Sequence, residues 1–147
     1  MSADSAAPVA VVTGGARRLG RHLCLSLARR GYDVIVLYRD SDADARTLER
    51  EIQALGRRAR SLAVDVSVER AVADVFADIA RQEGHVDLLV NNVGNYNPQH
   101  VTLLDPAVWD ATIATNLSAA YYCCFHALKQ MPAGGNIINI EIGRAHV

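Results

Sequence analysis

A glycine-rich segment near the amino terminus has the residue types of a phosphate-binding turn. It reads Thr13-Gly14-Gly15-Ala16-Arg17-Arg18-Leu19-Gly20, and it joins an apolar run to a helical pattern. Glycine lets a backbone turn tightly, and the free N–H groups at a helix N-terminus bind a pyrophosphate. No Gly-Lys-Ser/Thr follows, so the segment is not a P-loop, and its spacing differs from G-x-G-x-x-G. A phosphate-bearing ligand is the prediction, with a plain strand-to-helix corner as the alternative.

Other polar residues stand where later apolar runs end. Arg39 follows the second run, Asp65 ends the third, Asn91-Asn92-Val93-Gly94 ends the fourth, and Asn116 lies in the next helical stretch. The carboxyl ends of parallel strands meet at one edge of a sheet, which is where such sheets bind ligands. An asparagine inside a helix competes for backbone hydrogen bonds, so Asn116 is a poor choice there unless it has a function.

The elements that position these residues alternate between apolar runs and amphipathic helices. Such runs are typical of parallel strands buried on both faces, and the right-handed crossover rule favours a doubly wound α/β sheet of the Rossmann type. We predict the strand order 3-2-1-4-5, with the ligand between strands 1 and 4. Ser67 is expected to cap the third helix, with Val68 on its buried face. The predicted strands are Pro8–Thr13, Asp33–Tyr38, Ser61–Val66, Val86–Asn91 and Asn136–Ile140.

Composition excludes several classes of protein. The chain has 147 residues, 50% of them hydrophobic, and a net charge of -1, which suits one soluble domain rather than a nucleic-acid binder. No apolar run approaches the roughly 18 to 20 residues of a membrane span. The acidic amino terminus is not a secretory signal, and Cys24, Cys123 and Cys124 have no metal-site spacing. We therefore expect a cytoplasmic protein with no metal and no membrane or nucleic-acid partner.

The polar segments together resemble the short-chain dehydrogenase/reductase family from Pro8 to Ile140. Its turn is usually T-G-x-x-x-G-x-G, and Asn91-Asn92-Val93-Gly94 is similar to its N-N-A-G. Arg18 stands where the family has its middle glycine, which resembles the pteridine-reductase branch; the 3-oxoacyl-thioester reductases are the alternative branch. The resemblance implies hydride transfer from a nicotinamide cofactor to a small carbonyl or pterin substrate.

The end of the second strand favours NADP(H) over NAD(H). NAD sites carry an acid there that binds the ribose hydroxyls, whereas this chain has Tyr38 followed by Arg39. A guanidinium at this point, joined by Arg17 or Arg18, matches a 2′-phosphate. The alternative is that Arg39 faces solvent and binds no phosphate. Asp40 would accept a hydrogen bond from the ribose if the register shifted by two residues. The predicted cofactor-binding residues are Thr13, Gly14, Gly15, Arg17, Arg18, Leu19, Gly20, Tyr38, Arg39, Ser41, Asp65, Val66, Asn91, Asn92, Val93 and Gly94.

The resemblance also assigns roles to single residues. Asp65 and Val66 would flank the adenine, and Asn91 and Gly94 would line the cofactor. Asn116 is the catalytic candidate, anchoring a water in a proton relay. The helix that carries Tyr121, Tyr122 and Phe125 packs between subunits in many family members, so we expect a homo-oligomer, either a dimer or a tetramer. Ordinary core packing of these three side chains is the alternative.

The family's proton donor, a tyrosine with a lysine four residues on, has no match in this sequence. Lys129 is the only lysine, and no tyrosine stands four residues before it. The upstream serine that holds the substrate oxygen is not found either. We expect the chain to be the inactive cofactor-binding half of a longer enzyme. The alternative is a complete non-catalytic nucleotide-binding or interaction protein.

Three segments are expected along the chain. Residues 1–7 are predicted to be a disordered amino terminus, and residues 8–140 an incomplete NADP-binding Rossmann domain. Residues 141–147 read Glu-Ile-Gly-Arg-Ala-His-Val. GAG ATC GGA AGA GCA CAC GTC encodes them, and that string resembles a widely used sequencing adapter. We therefore interpret the last segment as a translated artefact.

Overall fold

The protein is built on five parallel strands. The structure, a computed structural model, describes residues 7–96, 100–103 and 105–141. Most of the predicted segments 1–7 and 141–147, namely residues 1–6 and 142–147, therefore lie outside the described residues. The sheet has the order β3-β2-β1-β4-β5 and every neighbouring pair is parallel, which confirms the predicted topology. The strands are β1 (Val9–Thr13), β2 (Asp33–Tyr38), β3 (Ala59–Ala63), β4 (Leu88–Asn91) and β5 (Asn136–Asn139).

Helices cover both faces of the sheet. They are α1 (Arg18–Arg29), α2 (Asp42–Ala54), α3 (Glu69–Gln82), α4 (Pro106–Ile113) and α5 (Ala119–Ala127). One π-helical turn, Ala114–Ser118, joins α4 to α5. Helices α1 and α2 pack on one face with Ala10 and Val12, while α3 and α5 pack on the other with Val9 and Val11. Within the described ranges, no helix has the length and hydrophobicity to cross a membrane.

The central strand explains why its sequence is apolar without alternation. All five residues of β1 are buried. Successive side chains point to opposite faces of a strand, so Val9 and Val11 join the α3–α5 core while Ala10 and Val12 join the α1–α2 core. Because both faces of β1 are covered, any polar side chain there would be buried. Thr13, at its carboxyl end, is the one polar residue of β1; it is buried, and its hydroxyl is used in the site described below.

The third strand and helix begin at places that differ from the prediction. Strand β3 covers Ala59–Ala63 rather than Ser61–Val66. It is an edge strand and only half-buried, so the polar Arg60 and Ser61 are tolerated within it. Ser67 does not cap α3: Val68 is the residue at the cap position, in extended backbone, and 49% of it is exposed. The expectation of a buried Val68 was therefore wrong, because its side chain precedes the helical stripe.

Charged side chains fix the amino-terminal ends of β2 and β3. Asp33, 5% exposed, accepts hydrogen bonds from the guanidinium groups of Arg57 and Arg58 and from the Arg58 N–H. Burial acts to raise the pKa of Asp33, but these hydrogen bonds outweigh it and hold the pKa below its usual value. Arg60 in turn pairs with Asp78 at 2.5 Å and with Glu83 at 3.2 Å. We call these six residues the amino-end cluster; it lies at the opposite end of the sheet from the polar loops.

Candidate nucleotide-binding site

A cavity of about 380 Å³ opens at the carboxyl ends of the strands. This volume is in the range of small-molecule and cofactor pockets. Nine of the predicted residues line it: Gly14, Arg17, Tyr38, Arg39, Ser41, Asp65, Val66, Val93 and Gly94. Ala16, Leu37, Asp40, Val64, Ser67, Asn95 and Thr115 also line it and were not predicted. The other predicted residues lie beside or beneath it: Thr13, Gly15, Arg18, Leu19, Gly20, Asn91, Asn92 and Asn116.

The glycine turn packs against the first turn of α1 with no room for side chains. Gly14 has φ +61°, in the left-handed region that favours glycine. A Cβ on Gly20 would lie 2.2 Å from the Gly14 carbonyl oxygen and 2.7 Å from Asn92 Nδ2. Helix α1 starts at Arg18 without a side-chain cap and without an acidic residue in its first turn. Its N-terminal N–H groups are therefore suited to an anionic ligand such as a pyrophosphate.

Thr13 and Asn92 brace the turn from below. Thr13 is 1% exposed, and its hydroxyl accepts from the N–H groups of Asn92 at 2.9 Å and Val93 at 3.1 Å. The Asn92 side chain donates to the carbonyls of Thr13 at 3.1 Å and Gly14 at 3.3 Å. These bonds fix the glycine turn to the loop after β4. Thr13 and Asn92 thus shape the site without lining its cavity.

Arg18 has a backbone conformation that favours glycine. Its φ is +50°, and it is the one residue other than glycine with a positive φ within the part of the chain that the structure describes. Such a conformation disfavours residues with a Cβ. The Arg18 side chain is exposed, and the backbone carbonyl oxygen of Arg18 lies 2.8 Å from His22 Nδ1. The position where the sequence departs from the family's glycine is thus also a position where the backbone favours glycine.

Two arginines stand at the mouth of the cavity, where β2 ends. Arg39 Nε donates to Asp40 Oδ2 at 2.8 Å, and its Nη1 lies 4.0 Å from Asp65 Oδ2. Arg17 Nε pairs with Asp44. We call Arg17 and Arg39 the arginine pair. Its position beside the end of β2 is that of the 2′-substituent of an adenosine ribose in dinucleotide-binding folds.

Tyr38 closes the same corner of the cavity. Its hydroxyl donates to Asp42 Oδ1 at 2.7 Å, and this hydrogen bond raises the tyrosine pKa. Asp42 also pairs with Arg46 at 2.9 Å, so its charge is compensated within α2. Tyr38 therefore stays neutral at physiological pH and offers an apolar ring rather than the carboxylate of an NAD site.

Asp65 is held as a carboxylate after β3. Its Oδ1 accepts from the Ser67 hydroxyl at 2.6 Å and from the Ser67 N–H at 3.0 Å. The hydroxyl bond is the largest cause of the lowered pKa of Asp65. Ser67 thus orients the acid instead of capping the helix. An ionised carboxylate can accept from an adenine amino group, as the predicted role requires.

Asn116 lies in the π-helical turn between α4 and α5, beside the loop after β4. Its Oδ1 accepts from the Asn95 N–H at 2.9 Å, and its Nδ2 donates to Asn95 Oδ1 at 2.7 Å and to the Thr112 carbonyl at 3.0 Å. A Cβ on Gly94 would lie 3.1 Å from Asn116 Oδ1. Single π-turns inside helices occur frequently at functional sites. The sequence found Asn116 but not its partner Asn95, because side-chain pairing across 21 residues leaves no local pattern.

Asn91 does not line the cavity; its side chain packs against β5 and α5. It is 5% exposed, and its Nδ2 donates to Asn139 Oδ1 at 2.8 Å and lies 3.3 Å from Cys124 Sγ. Asn91 and Asn139 are register partners on β4 and β5. The side chain thus joins two strands directly below the site.

Cysteine and metal chemistry have no support at this site. Burial raises the pKa of the Cys24 and Cys123 thiols to about 12, so both are protonated at neutral pH. In the described part of the chain, His, Cys, Asp and Glu side chains form no group of three or more that could hold a metal ion.

Comparison with known proteins defines the family. The sequence matches the short chain dehydrogenase family over residues 8–146, so this chain belongs to that family. It is 38% identical over 134 residues to a short-chain dehydrogenase/reductase of Hericium erinaceus, covering 89% of this chain and 53% of that protein. It is 34% identical over 133 residues to a 3-oxoacyl-(acyl-carrier-protein) reductase of Staphylococcus epidermidis, covering 89% of this chain and 54% of that protein.

A solved structure has the same fold. The short chain dehydrogenase of Burkholderia cenocepacia in complex with NADP superposes with a TM-score of 0.86 at 32% identity, covering 90% of this chain and 54% of that one. The chain therefore spans about half the length of the curated relatives it matches. This agrees with the expectation that it corresponds to the amino-terminal half of such enzymes.

Proposed function

We propose that this chain is the NADP(H)-binding half of a cytoplasmic reductase that transfers hydride to a small carbonyl or pterin substrate. The observation that carries the proposal is the arginine pair at the mouth of the cavity, where Tyr38 replaces the ribose-binding acid of NAD sites. The NADP complex of the Burkholderia relative supports the choice of cofactor.

Each part of the site has a task in this proposal. The glycine turn and the start of α1 bind the pyrophosphate, Asp65 accepts from the adenine, and the arginine pair binds the 2′-phosphate. The cofactor, when bound, supplies the hydride. Asn116 lies beside Gly94 at the nicotinamide side of the turn, where its fixed orientation suits a role in conducting a proton.

Two substrate classes are consistent with the site. Arg18 at the family's glycine position favours a pterin, whereas similarity to a 3-oxoacyl-(acyl-carrier-protein) reductase favours a 3-oxoacyl thioester. Assays of the complete enzyme with a dihydropterin and with a 3-oxoacyl thioester distinguish them. The alternative of a non-catalytic nucleotide-binding protein predicts turnover of neither, with cofactor binding retained.

We also propose that the complete enzyme is a homo-oligomer assembled through α4 and α5. Trp109, Leu117, Tyr121 and Phe125 follow one another at helical spacing, and between 47% and 62% of each is exposed. Tyr122, by contrast, packs against the core, so core packing accounts for only one of the three predicted interface residues. An apolar stripe of this kind is typical of a surface that a second copy covers.

The cofactor proposal is tested by Arg39→Asp in the complete enzyme. Replacing a guanidinium that binds the 2′-phosphate by a carboxylate should lower the ratio of kcat/KM for NADPH to that for NADH by about 10- to 100-fold. Arg50→Asp, the same charge change on the exposed side of α2, is the control and should leave the ratio unchanged. An unchanged ratio in Arg39→Asp would place the phosphate elsewhere.

A further inference from the structure

Each arginine of the arginine pair has an acidic partner at the mouth of the cavity. Arg39 Nε is bonded to Asp40 at 2.8 Å, and Arg17 Nε is paired with Asp44. Asp65 Oδ2 adds a third carboxylate 4.0 Å from Arg39 Nη1. Asp42, on the same turn as Asp44, is instead compensated by Tyr38 and Arg46. The charge that meets a 2′-phosphate is therefore much smaller than two free guanidinium groups would give.

Asp40 has a second property that Asp44 lacks. It lines the cavity, and 76% of its side chain is exposed. A carboxylate next to the ribose accepts hydrogen bonds from its hydroxyls, which is how NAD sites recognise their cofactor. The mouth of the cavity thus carries an acceptor for an unphosphorylated ribose as well as donors for a phosphorylated one.

The two acids act on a phosphate mainly through their charge. Exposed ion pairs hold their partners only weakly, and the Arg17 and Arg39 side chains are 63% and 65% exposed. Losing Asp40 or Asp44 would therefore cost the arginines little in orientation. By contrast, a carboxylate repels a doubly charged phosphate when the two groups lie closer together than the Debye length, because salt screens their charges little at that distance. At this site, the repulsion between each acid and the phosphate therefore affects binding more than the acid's effect on the orientation of its arginine.

We propose that Asp40 and Asp44 are specificity-determining residues that keep the preference for NADP(H) small, so that the site also accepts NAD(H). This inference rests on the proposed function, because it assumes that the cavity binds the adenosine half of a nicotinamide cofactor. Its distinctive consequence is that removing an acid tightens binding of the 2′-phosphorylated ligand. A purely structural role for either acid predicts the reverse.

The test uses 2′-phospho-ADP-ribose and ADP-ribose, which report on the adenosine half alone. Their dissociation constants are measured by calorimetry on the complete enzyme at low and high salt. We expect the unsubstituted enzyme to prefer the 2′-phosphorylated ligand by no more than about tenfold. Asp44→Asn should tighten the binding of 2′-phospho-ADP-ribose by about three- to tenfold and change the dissociation constant of ADP-ribose by less than about twofold. The increase in affinity should be smaller at high salt. Asp40→Asn should tighten the phosphorylated ligand and also weaken ADP-ribose.

Asp74→Asn is the matched control. Asp74 pairs with Arg70 on the exposed side of α3 and does not line the cavity, and the substitution changes the net charge equally. It should leave both dissociation constants unchanged. A preference above about 100-fold in the unsubstituted enzyme, or weaker binding of the phosphorylated ligand to Asp44→Asn, overturns the inference while leaving the cofactor site intact. Binding of neither ligand overturns the proposed function, and the inference with it.

Discussion

At the scale of single residues, Arg18 combines an unfavourable backbone conformation with a place next to the proposed pyrophosphate site. A residue with a Cβ in the left-handed region raises the free energy of the folded state by roughly 1–2 kcal/mol. Such local strain concentrates at functional sites. The strain implies that the Arg18 side chain contributes something that glycine would not, and the pyrophosphate on the adjoining helix N-terminus is its nearest proposed partner.

Arg18→Gly should separate stability from binding. We expect the free energy of unfolding to rise by about 0.5–1 kcal/mol, because glycine adopts the positive φ of 50° without strain but loses more entropy on folding. NADPH affinity should fall, since one positive charge near the pyrophosphate is lost. Urea denaturation and calorimetry measure the two effects. Arg50→Gly, the same substitution at an exposed position inside α2, should instead destabilise by about 1 kcal/mol; equal losses in both variants would refute the strain.

From the sequence, it was easier to predict which residues line the cavity than which contacts their side chains make. Arg39 and Asp65 could be located because they stand where parallel strands end, and that edge follows from topology alone. Asn91 is also at a strand end, but whether its side chain points to the cavity or to β5 depends on the pairing with Asn139. Asn95 was missed for the same reason. Its hydrogen bonds to Asn116 form only in the folded chain, so the sequence gives no sign of them.

At the scale of elements, the amino-end cluster holds the edge strand in place. Strand β3 is half-buried and has only β2 as a neighbour, so apolar burial contributes less to it than to β1. Asp33 at the start of β2 accepts from both the backbone and the guanidinium of Arg58, directly before β3. The polar residues that hid the start of this strand from the hydrophobic pattern thus help to hold the strand in place.

Asp33 should make stability depend on pH in the acid range. Its folded-state pKa is below the unfolded value, so its contribution is present above about pH 4 and is lost as the pH falls through and below that value. Asp33→Asn should lower the free energy of unfolding by about 1–3 kcal/mol at pH 7 and less at pH 2, because a buried hydrogen-bonded charge is lost. Denaturant titrations at several pH values measure this. A deficit that is independent of pH would contradict the assignment; Asp74→Asn, in an exposed pair, should change stability by less than about 0.5 kcal/mol.

At the scale of the whole molecule, the exposed stripe on α4 and α5 predicts assembly. In an isologous dimer each substitution occurs twice in the same interface. Tyr121→Glu with Phe125→Glu should therefore convert the complete enzyme to a smaller species in light scattering after size exclusion. Gln53→Glu, on the exposed surface of α2, is the control and should not change the mass. An unchanged mass in the double variant would assign these aromatic residues another role.

The 147-residue chain expressed by itself should be inactive and poorly soluble. None of its tyrosines is followed four residues later by lysine, so the family's proton donor is not present in it. Among the residues that the structure describes, β5 has a neighbouring strand on one side only, and Ile138 within it is 48% exposed. Such an edge pairs readily with other chains. NADPH oxidation with any carbonyl or pterin, or a monodisperse sample that melts cooperatively, would contradict the respective expectation.

The order of the strands also governs how the nascent chain matures on the ribosome. Strand β1 is made first and lies at the centre, and β2 and β3 are added to one side of it before any residue of β4 exists. The other side of β1 stays unpaired until β4 is made, because Ala10 of β1 pairs with Leu88 of β4. Synthesis at about 5–20 residues per second needs several seconds to reach Leu88, which is far longer than local helix formation takes. Throughout that interval, a strand that is apolar except for Thr13 has one unpaired edge. We therefore expect the growing polypeptide to bind chaperones that recognise extended hydrophobic segments.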